Sequence, residues 1–286
     1  MKTRTLCRLA ATGSVLVGLA AGGVVAATPA SAVPGLTLVT AMSPWDSSSS
    51  KEALATCPSG TRVLGGGGYV SNGGRQVHLT RLQALGSSDR FAAGAAENGA
   101  YAGSWRVYAY GICGRTPAGL EYVSFQSPRN SAGHKQVQAT CSPGKRVVSA
   151  GARVYGGNGD VVLLRFQPGQ DQVEVEAVED EDGTGGDWMV WAHGVCADPL
   201  PGWELVSGAT PANSSDKVNS VGCPAGKRLH GFGSAMNGED PADWGEAVHT
   251  GAYPDAGLTT ATTVALEDAT GIANAWFTSI VAVCAT

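Results

Sequence analysis

Cys57, Cys113, Cys141, Cys196, Cys223 and Cys284 recur with the period of a single unit of roughly eighty residues used three times. The first cysteine of each pair returns after 84 and 82 residues, and the second after 83 and 88. A tryptophan stands eight residues before each second cysteine (Trp105, Trp188, Trp276), and a lysine six before each first (Lys51, Lys135, Lys217). The first cysteines lie in Thr56-Cys57-Pro58-Ser59-Gly60-Thr61-Arg62-Val63, Thr140-Cys141-Ser142-Pro143-Gly144-Lys145-Arg146-Val147 and Gly222-Cys223-Pro224-Ala225-Gly226-Lys227-Arg228-Leu229. So many matched offsets indicate internal triplication, with units at 35–118, 119–201 and 202–286. Pro117 and Pro201 mark joins too short for independent tumbling, so the units are expected to pack together.

Within a unit glycine is dense and apolar runs are short. Gln172-Val173-Glu174-Val175-Glu176-Ala177-Val178 alternates apolar and acidic residues, and Arg106-Val107-Tyr108-Ala109-Tyr110 alternates large and small ones. That is strand periodicity, and no helical period is sustained after residue 33. The expected class is all-β, with three tandem antiparallel repeats of about six strands each, because connections this short cannot make parallel crossovers. Pairing within each copy (Cys57 with Cys113, Cys141 with Cys196, Cys223 with Cys284) is the simplest connectivity, since each copy then closes alike. Each such closure contributes roughly 4 kcal/mol on the chain-entropy account.

The N-terminus is basic (Lys2, Arg4, Arg8), then apolar to Ala27, then small at Ala30 and Ala32. This predicts a secretory signal over residues 1–32, cut before Val33. Its removal takes the net charge from −5 to −8, a balance that disfavours nucleic acid and anionic membranes as partners. No later run approaches the length of a membrane span. A secreted, extracellular protein is expected.

The run Cys-Pro-x-Gly-Lys-Arg-Val/Leu, closest at Cys223 to Arg228, followed by a Trp-initiated strand ending Val283-Cys284-Ala285, resembles a repeat of exported actinobacterial proteins. The resemblance spans the chain from residue 33 and implies the repeat fold but no activity or site. Copy two departs from it at Ser149-Ala150, where copy one has Gly65-Gly66. Threefold β repetition suggests by analogy a pseudo-threefold, β-prism-like arrangement.

Three groups of residues invite chemistry. Lys51, Lys135 and Lys217, with Arg62, Arg146 and Arg228, form three cationic sets; the plainer reading makes them solvent-facing or strand-edge residues. Glu97-Asn98, Glu179-Asp180 and Glu267-Asp268 read as turn residues, and the continuation Glu181-Asp182-Gly183 to Asp187 concentrates carboxylates that suit either calcium or, more plainly, a solvated acidic turn. Trp105, Trp188 and Trp276 are expected core anchors, whereas Trp45, Trp191, Trp203 and Trp244 lack tryptophan counterparts and are candidates for stacking on a ligand or for packing between copies. His193 takes the place of Tyr110 and Val281, which favours a packing or surface role.

Copy three is longer than its siblings between Gly233 and Glu267, and the added chain carries Trp244 with Glu239, Asp240, Asp243 and Glu246. These five residues are the sequence's candidate ligand site, an aromatic platform among hydrogen-bond acceptors. No catalytic or phosphate-binding motif and no zinc-type cysteine spacing is present, and no cofactor is expected. The leading expectation is a non-catalytic binding protein for an extracellular glycan or protein. A structural or envelope-associated protein without a discrete ligand comes next, and a secreted hydrolase after it.

Overall fold

The structure, a computed structural model, describes residues 33–238 and 243–286, so the signal segment and the candidate residues Glu239 and Asp240 lie outside the described part. Each copy forms six strands. In copy one these are β1 (Thr37–Met42), β2 (Ser50–Thr56), β3 (Arg62–Ser71), β4 (Val77–Leu85), β5 (Arg90–Glu97) and β6 (Arg106–Gly114). Copy two supplies β7 (Glu121–Gln126), β8 (His134–Thr140), β9 (Arg146–Tyr155), β10 (Val161–Pro168), β11 (Gln172–Glu179) and β12 (Met189–Ala197). Copy three supplies β13 (Glu204–Ala209), β14 (Lys217–Gly222), β15 (Arg228–Gly238), β16 (Ala247–Pro254), β17 (Thr260–Glu267) and β18 (Trp276–Ala285). The all-β, antiparallel expectation holds, and the alternating runs of sequence become strands with one buried and one open face.

The copies do not fold as separate sheets. Sheet I has the order β1-β6-β3-β16-β17-β14, sheet II β2-β5-β4-β9-β12-β7, and sheet III β13-β18-β15-β10-β11-β8. Every sheet thus joins the first, sixth and third strands of one copy to the fourth, fifth and second of another. The seams are short antiparallel pairings: Tyr69 with Gly251, Arg81 with Arg153, and Arg165 with Ala235. Copy one meets copy three as well as copy two, so the three copies close into a ring of three sheets around a shared apolar core. Arg75 of copy one reinforces the closing seam by gripping Asp216 of copy three through both terminal nitrogens, at 2.9 and 2.8 Å.

The three disulfides join Cys57 to Cys113, Cys141 to Cys196, and Cys223 to Cys284, as the spacing predicts. Because the first cysteine follows the second strand of its copy and the second lies in the sixth, each bridge ties two different sheets together. Such bridges suit an oxidising compartment.

Where the third strands converge, glycine is required by space. A Cβ on Gly65 would lie 2.6 Å from Ser149 Oγ and 2.7 Å from the His230 carbonyl oxygen, and one on Gly231 would lie 2.3 Å from the Val148 carbonyl oxygen and 2.4 Å from Ser149 Cβ. The three equivalent positions therefore share room for one side chain, which Ser149 fills. This accounts for Ser149 in the departure of copy two from the glycine run.

The recurring lysines do lie on edge strands, β2, β8 and β14, but they are not solvent-facing: Lys51, Lys135 and Lys217 are 9, 6 and 3% exposed. Each ammonium lies 4.1–4.4 Å from the centroid of its copy's recurring tryptophan and donates to backbone carbonyls, as Lys135 does to Asn130 at 2.7 Å. Each buried indole N–H in turn donates to the carboxylate ending the fifth strand, Trp105 to Glu97 at 2.8 Å, Trp188 to Glu179 at 2.7 Å and Trp276 to Glu267 at 2.9 Å. The expectation that these glutamates serve as turn residues is corrected accordingly. A buried cation and a buried indole need such partners, so Lys–Trp–Glu is a structural unit of the repeat.

Candidate functional site

With the inner faces occupied by this anchor, chemistry is left to the outer faces, and one cross-strand row allows them to be compared. In sheet I the row reads Met42, Tyr108, Tyr69, Gly251, Val264 and Val218. In sheet III it reads Ala209, Ser279, Ala235, Arg165, Glu176 and Gln136. In sheet II it reads Gln126, Trp191, Arg153, Arg81, Gly94 and Glu52. Sheet I is aromatic and uncharged, sheet III non-aromatic with its one arginine balanced by Glu176, and sheet II aromatic and cationic.

Sheet II also carries two adjoining concavities with aromatic lining. A cleft of ≈ 270 Å³ is lined by Gln83, Tyr122, Ser124, Gly151, Trp191 and His193, among others. A shallower depression of ≈ 420 Å³ beside it is lined by Gln83, Arg129, Arg153, Tyr155, Met189, Trp191 and His193. Trp191 and His193, two apart on β12 and therefore on one face, line both; their rings stack with centroids 5.8 Å apart at 6°. Gln83 and Arg81 come from β4 of copy one, Arg153 and Tyr155 from β9 of copy two, and Arg129 from the β7–β8 connection, so the site straddles the seam between copies.

Hydrogen bonding orients the cleft. The Gln83 carbonyl accepts from Arg81 Nε and Nη2 at 2.9 and 2.7 Å, leaving its amide nitrogen to donate to His193 Nδ1 at 3.4 Å. His193 is then an Nε2–H donor, and that nitrogen is buried with no partner among the described residues. Burial, with Arg81 and Arg153 nearby, holds its pKa down at about 4, so the ring is neutral at neutral pH. Tyr155, 47% exposed, has the Arg129 and Arg153 guanidinium carbons each 5.6 Å from its ring centroid.

The residues expected from sequence are placed differently. Trp244 is half-buried against the smaller core cluster of Val162, Leu164, Met236, Ile272 and Trp276, with its ring 5.5 Å from that of His134. The described space beside it is ≈ 20 Å³, about one water and far less than a sugar ring. Asp243 accepts from Asn274 at 2.9 Å. Glu246 is buried, accepts from Thr270, and meets Glu181 and Asp268 with their carboxylate oxygens within 4.8 Å of one another. Burial and these neighbours raise Glu246 to about 7, while burial and Asp160 raise Asp180 to about 6. Of the acidic run in copy two, only Glu181 belongs to this triad.

Trp203 packs between copies, its indole donating to the Val147 carbonyl at 2.8 Å, and Trp45 is exposed beneath the Arg106 guanidinium. Arg62 pairs with Asp89 at 2.6 Å and lies over Tyr122 of copy two, while Arg146 lies over Trp203 of copy three. These arginines thus serve inter-copy packing. Sequence reasoning singled out Trp191 and His193 but missed Gln83, Arg81, Arg129, Arg153 and Tyr155. The available signal was divergence at equivalent positions: where copy two has Tyr155, copies one and three have Ser71 and Asn237.

The scaffold is thus an all-β ring of three shared sheets with one aromatic, cationic cleft. No known protein-family model matches the chain, and no curated protein matches it in sequence. Among the described residues no helix is long and apolar enough to cross a membrane.

Proposed function

We propose that this chain is a secreted, non-catalytic binding protein that holds an extracellular glycan in the sheet II cleft. The observation that carries the reading is the Trp191–His193 stack lining two adjoining depressions, with the Gln83 amide and Tyr155 beside it. Flat rings cover the apolar face of a pyranose while neighbouring amides and guanidiniums meet its hydroxyls, the combination found in small-ligand sites. Export belongs to the same reading: the disulfides favour an oxidising space, and residues 1–32 have the form of a cleaved signal.

The test is a pull-down on immobilised polysaccharides with the purified protein and its Trp191→Ala variant. Retention of the parent and release of the variant, with matched thermal melts, is expected. Retention by neither overturns the glycan reading in favour of an envelope-structural role or a protein ligand, and liberated reducing ends would make the protein a hydrolase. N-terminal sequencing of the secreted form should begin at Val33.

A further inference from the structure

The centre of the sheet II face holds a pairing that antiparallel sheets avoid. Arg81 and Arg153 stand directly opposite one another across the seam between copies one and two, and like charges so placed repel. The equivalent seams pair Tyr69 with Gly251 and Ala235 with Arg165, neither a like-charge pair. The arginine of sheet III, Arg165, is moreover offset by Glu176, 3.3 Å from its Nε. In sheet II Glu52 forms its ion pair with Arg81 and reaches Arg153 only through the weaker field of a more distant charge. Among the described residues neither Arg153 nor Arg129 has an ion-pair partner, although acids outnumber bases 24 to 19 in the chain.

Both unpaired guanidiniums flank the exposed Tyr155 ring and line the depression shared with Trp191 and His193. Arg153 is partly desolvated there, and burial together with Arg81 pulls its pKa down, the mark of a cation lacking its counter-charge. Resting on the reading of this cleft as a glycan site, we infer that it selects a saccharide bearing an anionic group, a carboxylate or a phosphate ester, seated between Arg129 and Arg153 while the sugar ring lies against Trp191. The planar fork of a guanidinium matches either anion through two parallel N–H donors, and the stack beside it supplies the contact for the ring. A bound anion would also relieve the Arg81–Arg153 repulsion.

The experiment is a tryptophan-fluorescence titration with oligogalacturonate, a glycerol-phosphate oligomer and a dextran oligomer of equal length, at two salt concentrations. At least one acidic oligomer should bind about tenfold or more tighter than dextran and weaken as salt rises, as loss of a charge-assisted contact implies. Preference for one acid identifies carboxylate or phosphate as the source of the charge. Arg129→Gln, an exposed loop change, and Arg153→Gln, checked by thermal melting, should each remove most of that preference, weakening the acidic oligomer far more than dextran. Equal binding of all three oligomers, insensitive to both variants, would overturn the anionic inference and leave the glycan reading standing. No binding of any oligomer, with Trp191→Ala silent on polysaccharide retention, would overturn both.

Discussion

Two positions three residues apart, one at the entry to the sixth strand of each copy and one within it, have opposite histories. Trp105, Trp188 and Trp276 are buried to within 2% of full burial, each stacked under a lysine and bonded to a glutamate. Three residues on, the equivalent positions hold Tyr108, Trp191 and Ser279, aromatic in two sheets and polar in the third. The first position is fixed by what a small β unit must bury. The second faces outward, where triplication left three copies of a surface free to diverge.

The sharpest way to break this contrast is to truncate both kinds of tryptophan in copy two. Trp188→Ala removes a fully buried ring and strands Glu179 and Lys135 without it, so denaturant melts should report a loss of roughly 3–5 kcal/mol. Trp191→Ala should cost under about 1 kcal/mol while abolishing retention on the polysaccharide. Comparable losses from the two would erase the distinction between scaffold and site.

Crowding at the centre gives the next largest effect. Gly65→Ala forces a Cβ against Ser149 and should cost roughly 1–3 kcal/mol. Adding Ser149→Gly removes two of the three nearest atoms and should recover a good part of that loss in the same melts. If the double variant is no better than the single, the shared-space account is wrong.

A smaller effect distinguishes the copy two–copy three junction. Glu246, raised to about 7 against an ordinary value of 4.5, binds its proton more tightly when folded. Its contribution to stability is therefore complete below about 4.5 and is lost as pH rises through about 7. Buried neutral His193, His230 and His249, each lowered to about 4, act oppositely and are lost as pH falls from 6.5. The Tm difference between parent and Glu246→Gln should accordingly widen at low pH in the parent's favour and narrow by neutrality. A pH-independent difference would show that Glu246 keeps its ordinary titration. The least change is expected from Ser279→Ala on sheet III, within about 0.5 kcal/mol and with no effect on polysaccharide retention.

Much of the scaffold was legible in the sequence because it rests on short-range regularities. The cysteine period, the alternation of residues 172–178 and the Trp-to-Cys spacing each report on one copy at a time. The cleft was not legible for the complementary reason. Trp191 stood out as a tryptophan without counterparts, but Arg81 and Gln83 become its neighbours only because β4 of copy one crosses into the sheet of copy two. Trp244 stood out as an added aromatic among acids, and what the sequence did not show is that its ring lies half-buried against the cluster of Leu164 and Met236.

Sheet I has a consequence in time. Its β1, β6 and β3 are among the first strands to leave the ribosome and its β16, β17 and β14 among the last, while Arg75 waits for a partner 141 residues downstream. Until copy three arrives, β3 presents a bare edge, which is the hazard that exposed strands carry. Assembly dominated by such distant pairings is slow, and no N-terminal fragment holds a complete sheet I. The protein should therefore acquire its native state late, after release of the whole chain, with the oxidation of Cys57 to Cys113 able to precede the closing of the ring.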